Sequence, residues 1–187
     1  LPITEKYTPH LYMLLRRTLA DTGFSTYNAK KYYQRKRPFM LNKEPICTPN
    51  EFEFLVTNGS YPSGHSAIGW AWALILSEIA PERADAILIR GRRFGESRVI
   101  CNVHWYSDVV AGRLMGAATV ARLHADPAFQ AELKAAKTEF DAYRACLSRA
   151  AAECGAARRP ETAPRQAAGG DATMLAIWNE IKDSGDA

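Results

Sequence analysis

An all-α fold, a compact helical bundle with its site between core helices and loops, is what this 187-residue chain predicts. Three observations carry that expectation. Apolar residues recur three and four apart in segment after segment, no stretch of useful length alternates apolar with polar, and Gly, Pro and Asn fall between the periodic segments. With 47% hydrophobic and 24% charged residues, the chain has the composition of a globular protein, and its length suits one ordinary core.

The first element is expected over residues 8–20, where Leu11, Leu14, Leu15 and Leu19 share one helical face and Asp21-Thr22-Gly23 supplies a stop. Residues 27–36 read as a second helix. It ends before Arg37-Pro38, because the residue preceding proline is pushed out of the α region. Residues 44–61, with Pro45, Pro49, Asn58 and Gly59, are expected to be loop. Residues 66–79 are apolar all round, the mark of a central buried helix. Pro81, at a permitted first-turn position, opens a helix running to about Phe94 with Ala84, Ile87 and Leu88 on one face. Residues 105–124 form a helix rich in small residues (Ala111, Gly112, Gly116, Ala117, Ala118), which allows close helix contact. Asp126-Pro127 caps a helix over 128–152 whose polar face carries Glu132, Lys134, Lys137, Glu139 and Asp141. Residues 155–171 shift to the Ala, Arg, Pro and Gly composition of a linker, and 173–182 read as a short terminal helix.

A net charge of +4 and a pI near 8.9 mildly favour anionic ligands, but the excess is scattered and gives no argument for nucleic acid. The most apolar stretch, 67–80, is too short to span a bilayer, and 109–123 contains Arg113 and Arg122. A soluble protein without a membrane span is expected. The chain opens with Leu1 and shows no charged segment followed by an apolar one, which points to a processed or partial chain. Cys47, Cys101, Cys146 and Cys154 lack the paired short spacings of a zinc or redox site, so no metal is expected. Their even number allows two disulfides in an oxidising compartment. Cys146 with Cys154 could close a small loop, and free thiols are the competing reading.

Three clusters bring phosphate chemistry together. Pro62-Ser63-Gly64-His65 lies where a loop enters the buried helix. The first backbone N–H groups of a helix point outward there, and Gly64 lets an anion approach. An ordinary N-cap by Ser63 is the plain alternative. His104 and Asp108, four apart, share a face if they lie on one helix, so the carboxylate can hold one imidazole nitrogen and make the other more nucleophilic. A surface ion pair would be commonplace, but Val103, Trp105 and Val109 beside it argue for an interior cleft. Lys30 and Arg37, seven apart, would face one dianion from a continuous helix, although with Lys31, Arg35 and Lys36 between them this stretch taken alone favours a solvated basic face. Arg98 adds a third cation whose planar fork fits a phosphate bidentately.

Taken in order, Lys30-x6-Arg37-Pro38, Pro62-Ser63-Gly64-His65 and Ser97-Arg98-x5-His104-x3-Asp108 resemble the three-part signature of the type 2 phosphatidic acid phosphatase superfamily. The run Asn58-Gly59-Ser60-Tyr61-Pro62-Ser63-Gly64-His65-Ser66, and Ser97-Arg98-Val99-Ile100-Cys101 ahead of His104-Trp105, resemble the class A bacterial non-specific acid phosphatases. The similarity covers residues 2–143. It makes 1–144 the expected catalytic domain, lacking an N-terminal helical part that members of the class carry, and leaves 145–187 as an unmatched tail.

The resemblance implies an α-helical, metal-independent acid phosphatase without cofactor, periplasmic or secreted, that hydrolyses small phosphomonoesters through a phosphohistidine. It also allows phosphoryl transfer to alcohols, phosphate or vanadate as site ligand, and a homodimer. His104 would be the nucleophile, Asp108 its orienter and His65 the general acid. Lys30, Arg37, Ser63, Gly64 and Arg98 would bind phosphate oxygens. A bound anion would raise the pKa of His65 and keep it protonated, suiting mildly acidic working pH. Two rival readings share these residues. In a vanadium-dependent haloperoxidase His104 would ligate the vanadate, but such chains are usually much larger. A non-catalytic phosphate- or phospholipid-binding helical protein would have no need to fill every motif position, as this chain does.

Overall fold

The computed structural model describes residues 3–153, and within them the chain forms helices and turns and no strand. Eight α-helices follow in order: α1 (Pro9–Ser25), α2 (Tyr27–Tyr33), α3 (Pro38–Asn42), α4 (Phe52–Thr57), α5 (Gly64–Ile79), α6 (Ala84–Ile100), α7 (Tyr106–Leu123) and α8 (Pro127–Glu153). Short 3₁₀ turns, Pro49–Glu51 and Pro81–Arg83, lead into α4 and α6. The predicted linker over 155–171, the terminal helix over 173–182 and Cys154 lie outside the described residues.

The all-round apolar helix is the axis of the fold. α5 packs against α1, α6, α7 and α8, and its Ile68, Ala71, Trp72, Ile75 and Ile79 form one core with Leu11, Leu14 and Leu15 of α1, Val120 of α7 and Phe129, Leu133 and Ala136 of α8. Trp72 is buried on every side, so its indole N–H needs a partner and donates to Leu15 O at 3.0 Å. Backbones approach where α7 crosses α5: a Cβ on Gly112 would stand 2.4 Å from Ser63 O, and one on Gly116 2.4 Å from Ala67 O. The small residues read from the sequence are therefore required, because a methyl group there would push α7 off the helix whose first turn carries Ser63 and His65.

Several boundaries depart from expectation. α1 runs through Asp21-Thr22-Gly23 to Ser25: Thr18 and Thr22 are buried, and tertiary packing outweighs the roughly 1 kcal/mol that glycine costs a helix. α2 stops at Tyr33, because Gln34 adopts a left-handed conformation (φ 43°) with its N–H on Lys30 O, so Lys30 and Arg37 do not share a continuous helix. The stretch expected to be loop contains α4, and α3 precedes it; Phe39 and Leu55 bury against Val103 in a second small core that their short spans hide from periodicity. α6 continues past Phe94 to Ile100, since Gly91, Phe94 and Gly95 are its buried residues and face α5 and α7. Asp126 caps α8 as expected, its Oδ1 accepting from Ala128 N at 2.8 Å. Part of the polar face of α8 turns inward: Glu139 accepts from the first amides of α1 (His10 and Leu11), and Glu132 pairs with Arg17.

The disulfide joins Cys47 to Cys101, a pairing the sequence reading did not single out. Cys146 is an exposed free thiol, so of the two readings open for it the free thiol holds. The bridge ties the segment after α3 to the residue that ends α6, three residues ahead of His104.

Closing a sequence separation of 54 residues, the bridge is expected to contribute about 4 kcal/mol by restricting the unfolded chain. Cys47→Ser/Cys101→Ser should lower the denaturant midpoint accordingly in equilibrium unfolding, with the circular dichroism of the helices retained under native conditions.

Candidate active site

The three clusters come together at one end of the bundle, where α5 and α7 begin and α6 ends. Ser63 is the N-cap of α5: its Oγ accepts from Ser66 N at 3.2 Å and from Ser66 Oγ at 2.9 Å, and it is fully buried. The plain N-cap reading and the anion-cradle reading therefore describe one geometry. Intrahelical bonding begins at Ala67 N→Ser63 O, so the amides of Gly64 and His65 precede the ladder at the positive end of a sixteen-residue helix. Ser63 N donates to Asp108 O at 3.0 Å, which locks this turn to α7.

His104 lies before α7, not on it. The chain leaves α6 at Cys101, Asn102 takes a left-handed conformation (φ 60°), and the amides of Val103 and His104 both donate to Arg98 O at 3.2 Å. Asp108, in the first turn of α7, accepts from Trp105 N at 2.9 Å and so caps its own helix. The two side chains still meet, His104 Nδ1 standing 3.5 Å from Asp108 Oδ2. The shared helical face expected from the four-residue spacing is replaced by a turn and a helix cap.

Two residues that the sequence reading passed over complete this arrangement. Ser60 Oγ donates to Asp108 Oδ2 and lies 3.3 Å from His104 Nδ1, and Arg35 Nη1 donates to Asp108 Oδ1 at 2.7 Å. Ser60 stood inside the quoted run, but nothing in a single chain marks one serine there. Arg35 looked like part of a solvated basic face, and its guanidinium is indeed partly exposed, over the Trp105 ring.

The other ring nitrogen faces Arg37. His104 Nε2 is 3.2 Å from Arg37 Nη1. A guanidinium can only donate, so Nε2 must accept, and in the neutral ring the proton resides on Nδ1, facing Ser60 and Asp108. Burial, outweighing the bond to Asp108 and aided by Arg37 and Lys30, lowers the His104 pKa to about 4. The imidazole is thus neutral, with a defined lone pair, at any pH well above that value. Asp108 stays ionised: burial alone would raise its carboxyl, but the bonds from His104, Ser60 and Trp105 N–H bring it below the usual range.

Lys30 and Arg37 meet from separate elements. Lys30 is almost fully buried and donates to Gly59 O at 2.6 Å. Arg37 precedes Pro38 and donates to Leu55 O, Asn58 O and Val103 O, so it closes α4 and holds the His104 segment at once. Burial, then the Arg37 charge, lowers the Lys30 pKa to about 7, and burial lowers that of Arg37 to about 10. Arg98 sits in the last turn of α6, with Nε and Nη2 on Ser97 Oγ (3.1 and 2.9 Å) and its guanidinium over Phe94. Half-buried His65 is held well below the ordinary histidine value by burial and by Arg98, His104, Arg37 and Lys30. The expectation of a protonated His65 concerns the anion-bound site, where a dianion would offset these cations; without one the charged ring is disfavoured. A groove of about 700 Å³ lined by Phe39, Met40, Ile46 and Phe52 includes none of the predicted site residues.

Together these groups can surround a tetrahedral dianion, present a nucleophilic nitrogen to it and offer a second imidazole for proton transfer. Residues 9–130 match the PAP2 superfamily. The chain is 51% identical over 140 residues to a non-specific acid phosphatase of Providencia stuartii, spanning 74% of this chain and 56% of that protein. It is 47% identical over 148 residues to a non-specific acid phosphatase of Salmonella typhimurium (79% and 59%), and 45% identical over 136 residues to an acid phosphatase of Zymomonas mobilis subsp. mobilis (73% and 52%). The chain spans between half and two thirds of the length of these curated relatives.

Lys30 carries its charge below about pH 7 and loses it above. Calorimetric titration with inorganic phosphate is therefore expected to show an affinity advantage of the native protein over Lys30→Met that is large at pH 5.5 and shrinks by roughly tenfold toward pH 8.5. Comparing the two proteins at each pH cancels the ionisation of the phosphate itself. A constant ratio would mean that Lys30 does not titrate in this range.

Proposed function

This chain belongs to the PAP2 superfamily, and from that premise we propose that it is an acid phosphatase which hydrolyses small phosphomonoesters through a phosphohistidine, without a metal ion. The observation that carries the reading is the state of His104: neutral, with Nδ1–H directed at Ser60 and Asp108 and the Nε2 lone pair directed at Arg37, in the midst of the cation cluster.

In the proposed reaction Lys30, Arg37 and Arg98, with the Ser63 hydroxyl and the Gly64 amide, hold the phosphoryl oxygens, and the substrate displaces the Arg37 contact from Nε2. Nε2 attacks phosphorus; the N–P bond forms as the ester O–P bond breaks, and the leaving alkoxide takes a proton from His65. The dianion that recruits the cations also offsets their effect on His65, so the acid acquires its proton when substrate is bound. Water then attacks the phosphohistidine, giving its proton to His65 and releasing phosphate from Nε2. An alcohol in place of water would receive the phosphoryl group. Phosphoryl transfer asks chiefly for positioning and for charge to meet charge, which these residues supply. Asp108 stabilises the positive charge that forms on the ring during attack. A periplasmic or secreted location accords with the Cys47–Cys101 disulfide, since such bonds persist in oxidising compartments.

Two measurements test the reading. Alkaline quench of the protein with ³²P-labelled substrate, under which a phosphohistidine survives, should trap phosphate on His104, and His104→Ala should lose the label together with at least about 10³-fold in kcat while keeping the helical circular dichroism. A variant that kept its turnover would sink the mechanism. Turnover of p-nitrophenyl phosphate should survive chelators; bromide oxidation with vanadate and peroxide in its place would favour the haloperoxidase reading.

The pH profile of kcat/KM follows from His104 and Lys30, together with the proton that His65 must carry. Its acid limb should fall where His104 protonates, near pH 4, and its alkaline limb where Lys30 loses its charge, near pH 7. Lys30→Met should weaken the reaction most at acid pH and remove the part of the alkaline limb that Lys30 sets, leaving the part set by the proton of His65.

A further inference from the structure

We propose that Ser60 is a positioning residue for His104. The imidazole is oriented through a three-membered chain, His104 to Ser60 to Asp108, and not by the carboxylate alone. The inference rests on the reading of His104 as the nucleophile.

The hydroxyl has one proton to give. Its shortest contact is with Asp108 Oδ2, to which it donates, so the oxygen accepts from the Nδ1 proton of His104 at 3.3 Å. The direct approach of Nδ1 to the carboxylate, 3.5 Å, is longer than the contact with serine. The carboxylate is itself fixed in rotation, since Arg35 Nη1 holds Oδ1 at 2.7 Å and Trp105 N holds Oδ2 at 2.9 Å. Ser60 is equally constrained. Its N–H donates to Arg35 O at 2.8 Å, and the carbonyl of the preceding Gly59 accepts from Lys30 Nζ. Gly59 is needed for this approach, because a Cβ there would lie 2.7 Å from Lys30 O.

Burial gives the arrangement its consequence. Ser60 and Asp108 have no exposed surface and His104 is 1% exposed, so removing the hydroxyl opens no route for bulk water to take its place. The Nδ1 proton would be left with the longer contact alone, and the alternative tautomer, which carries the proton on Nε2 and has no lone pair for attack, would gain population. Binding of phosphate should be spared, because the Ser60 hydroxyl is bonded to His104 and Asp108 and not to the cations of the site.

A double-mutant cycle with Asp108→Asn tests this. Ser60→Ala is expected to lower kcat for p-nitrophenyl phosphate by roughly 10- to 100-fold with KM within about twofold, the scale found for partners that orient a metal-bound imidazole. Added to Asp108→Asn, the same substitution should cost less than about twofold more, because both act through one chain. Ser60→Cys, which keeps the approximate volume but donates weakly, follows the same pattern and serves if the alanine variant does not fold. A kcat within about twofold of the native protein in either variant, or an equal loss in both backgrounds, would overturn the proposal. Failure of the nucleophile reading shows separately, as turnover retained by His104→Ala.

Discussion

A single buried carboxylate holds the site end of this molecule together. Asp108 has no exposed surface, and an ionised group so placed is tolerated only where its oxygens are fully used. Oδ1 takes Arg35 from the connection after α2. Oδ2 takes Ser60 from the loop before α5 and the amide of Trp105 at the start of α7, with His104 beside it. Three chain segments, around Arg35, Ser60 and His104–Asp108, thus converge on one side chain, which is a helix cap and an ion-pair partner at the same time. The backbone carbonyl of the same residue receives Ser63 N–H, so the first turn of α5 and the histidine segment keep a fixed relation.

That convergence depends on how closely the helices approach. α5 carries no polar face and can be surrounded, and the glycines of α7 let its backbone come to within contact of α5 at Ser63 and Ala67. The core and the site are in this sense one construction. The same helix pair that buries Trp72 and Val120 sets the separation between the first turn of α5 and the first turn of α7. Arg37 extends the frame to the second core, because its guanidinium spans the end of α4, the carbonyl of Val103 and the ring of His104. The cost of gathering Lys30 and Arg37 in a buried place is visible in their depressed pKa values, and a bound dianion would reverse it.

Much of this was legible in the chain. The helical class, the central role of residues 66–79, the need for small residues in α7 and the Asp126 cap all rest on local pattern, and local pattern survives folding. The helix boundaries that shifted did so where burial overrode propensity: Gly23 is held inside α1 by packing around Thr22, and α3 and α4 are too short for periodicity to reveal yet are anchored by Phe39 and Leu55. His104 and Asp108 lie together, and Lys30 is buried within the field of Arg37, but not by the helical faces that their spacing suggests. The helical faces supposed to bring them together are interrupted at Gln34 and replaced by a turn ahead of Trp105. Ser60, Arg35 and the Cys47–Cys101 bridge could not be picked out, because their partners lie 48, 73 and 54 positions away and no local rule links such residues.

The sequence by itself determined which chemistry is available, since residue type fixes who can donate, accept, attack or carry charge, and the spacing of the three clusters follows a recognisable signature. The tertiary structure alone decided the protonation and direction of those groups. Which nitrogen of His104 holds the proton depends on Arg37 arriving from another element, and whether His65 or Lys30 is charged depends on how much water the folded chain excludes and which cations it places alongside. Residue identity is a local property. Desolvation and field are set by everything packed around the residue, and they exist only once the chain has closed on itself.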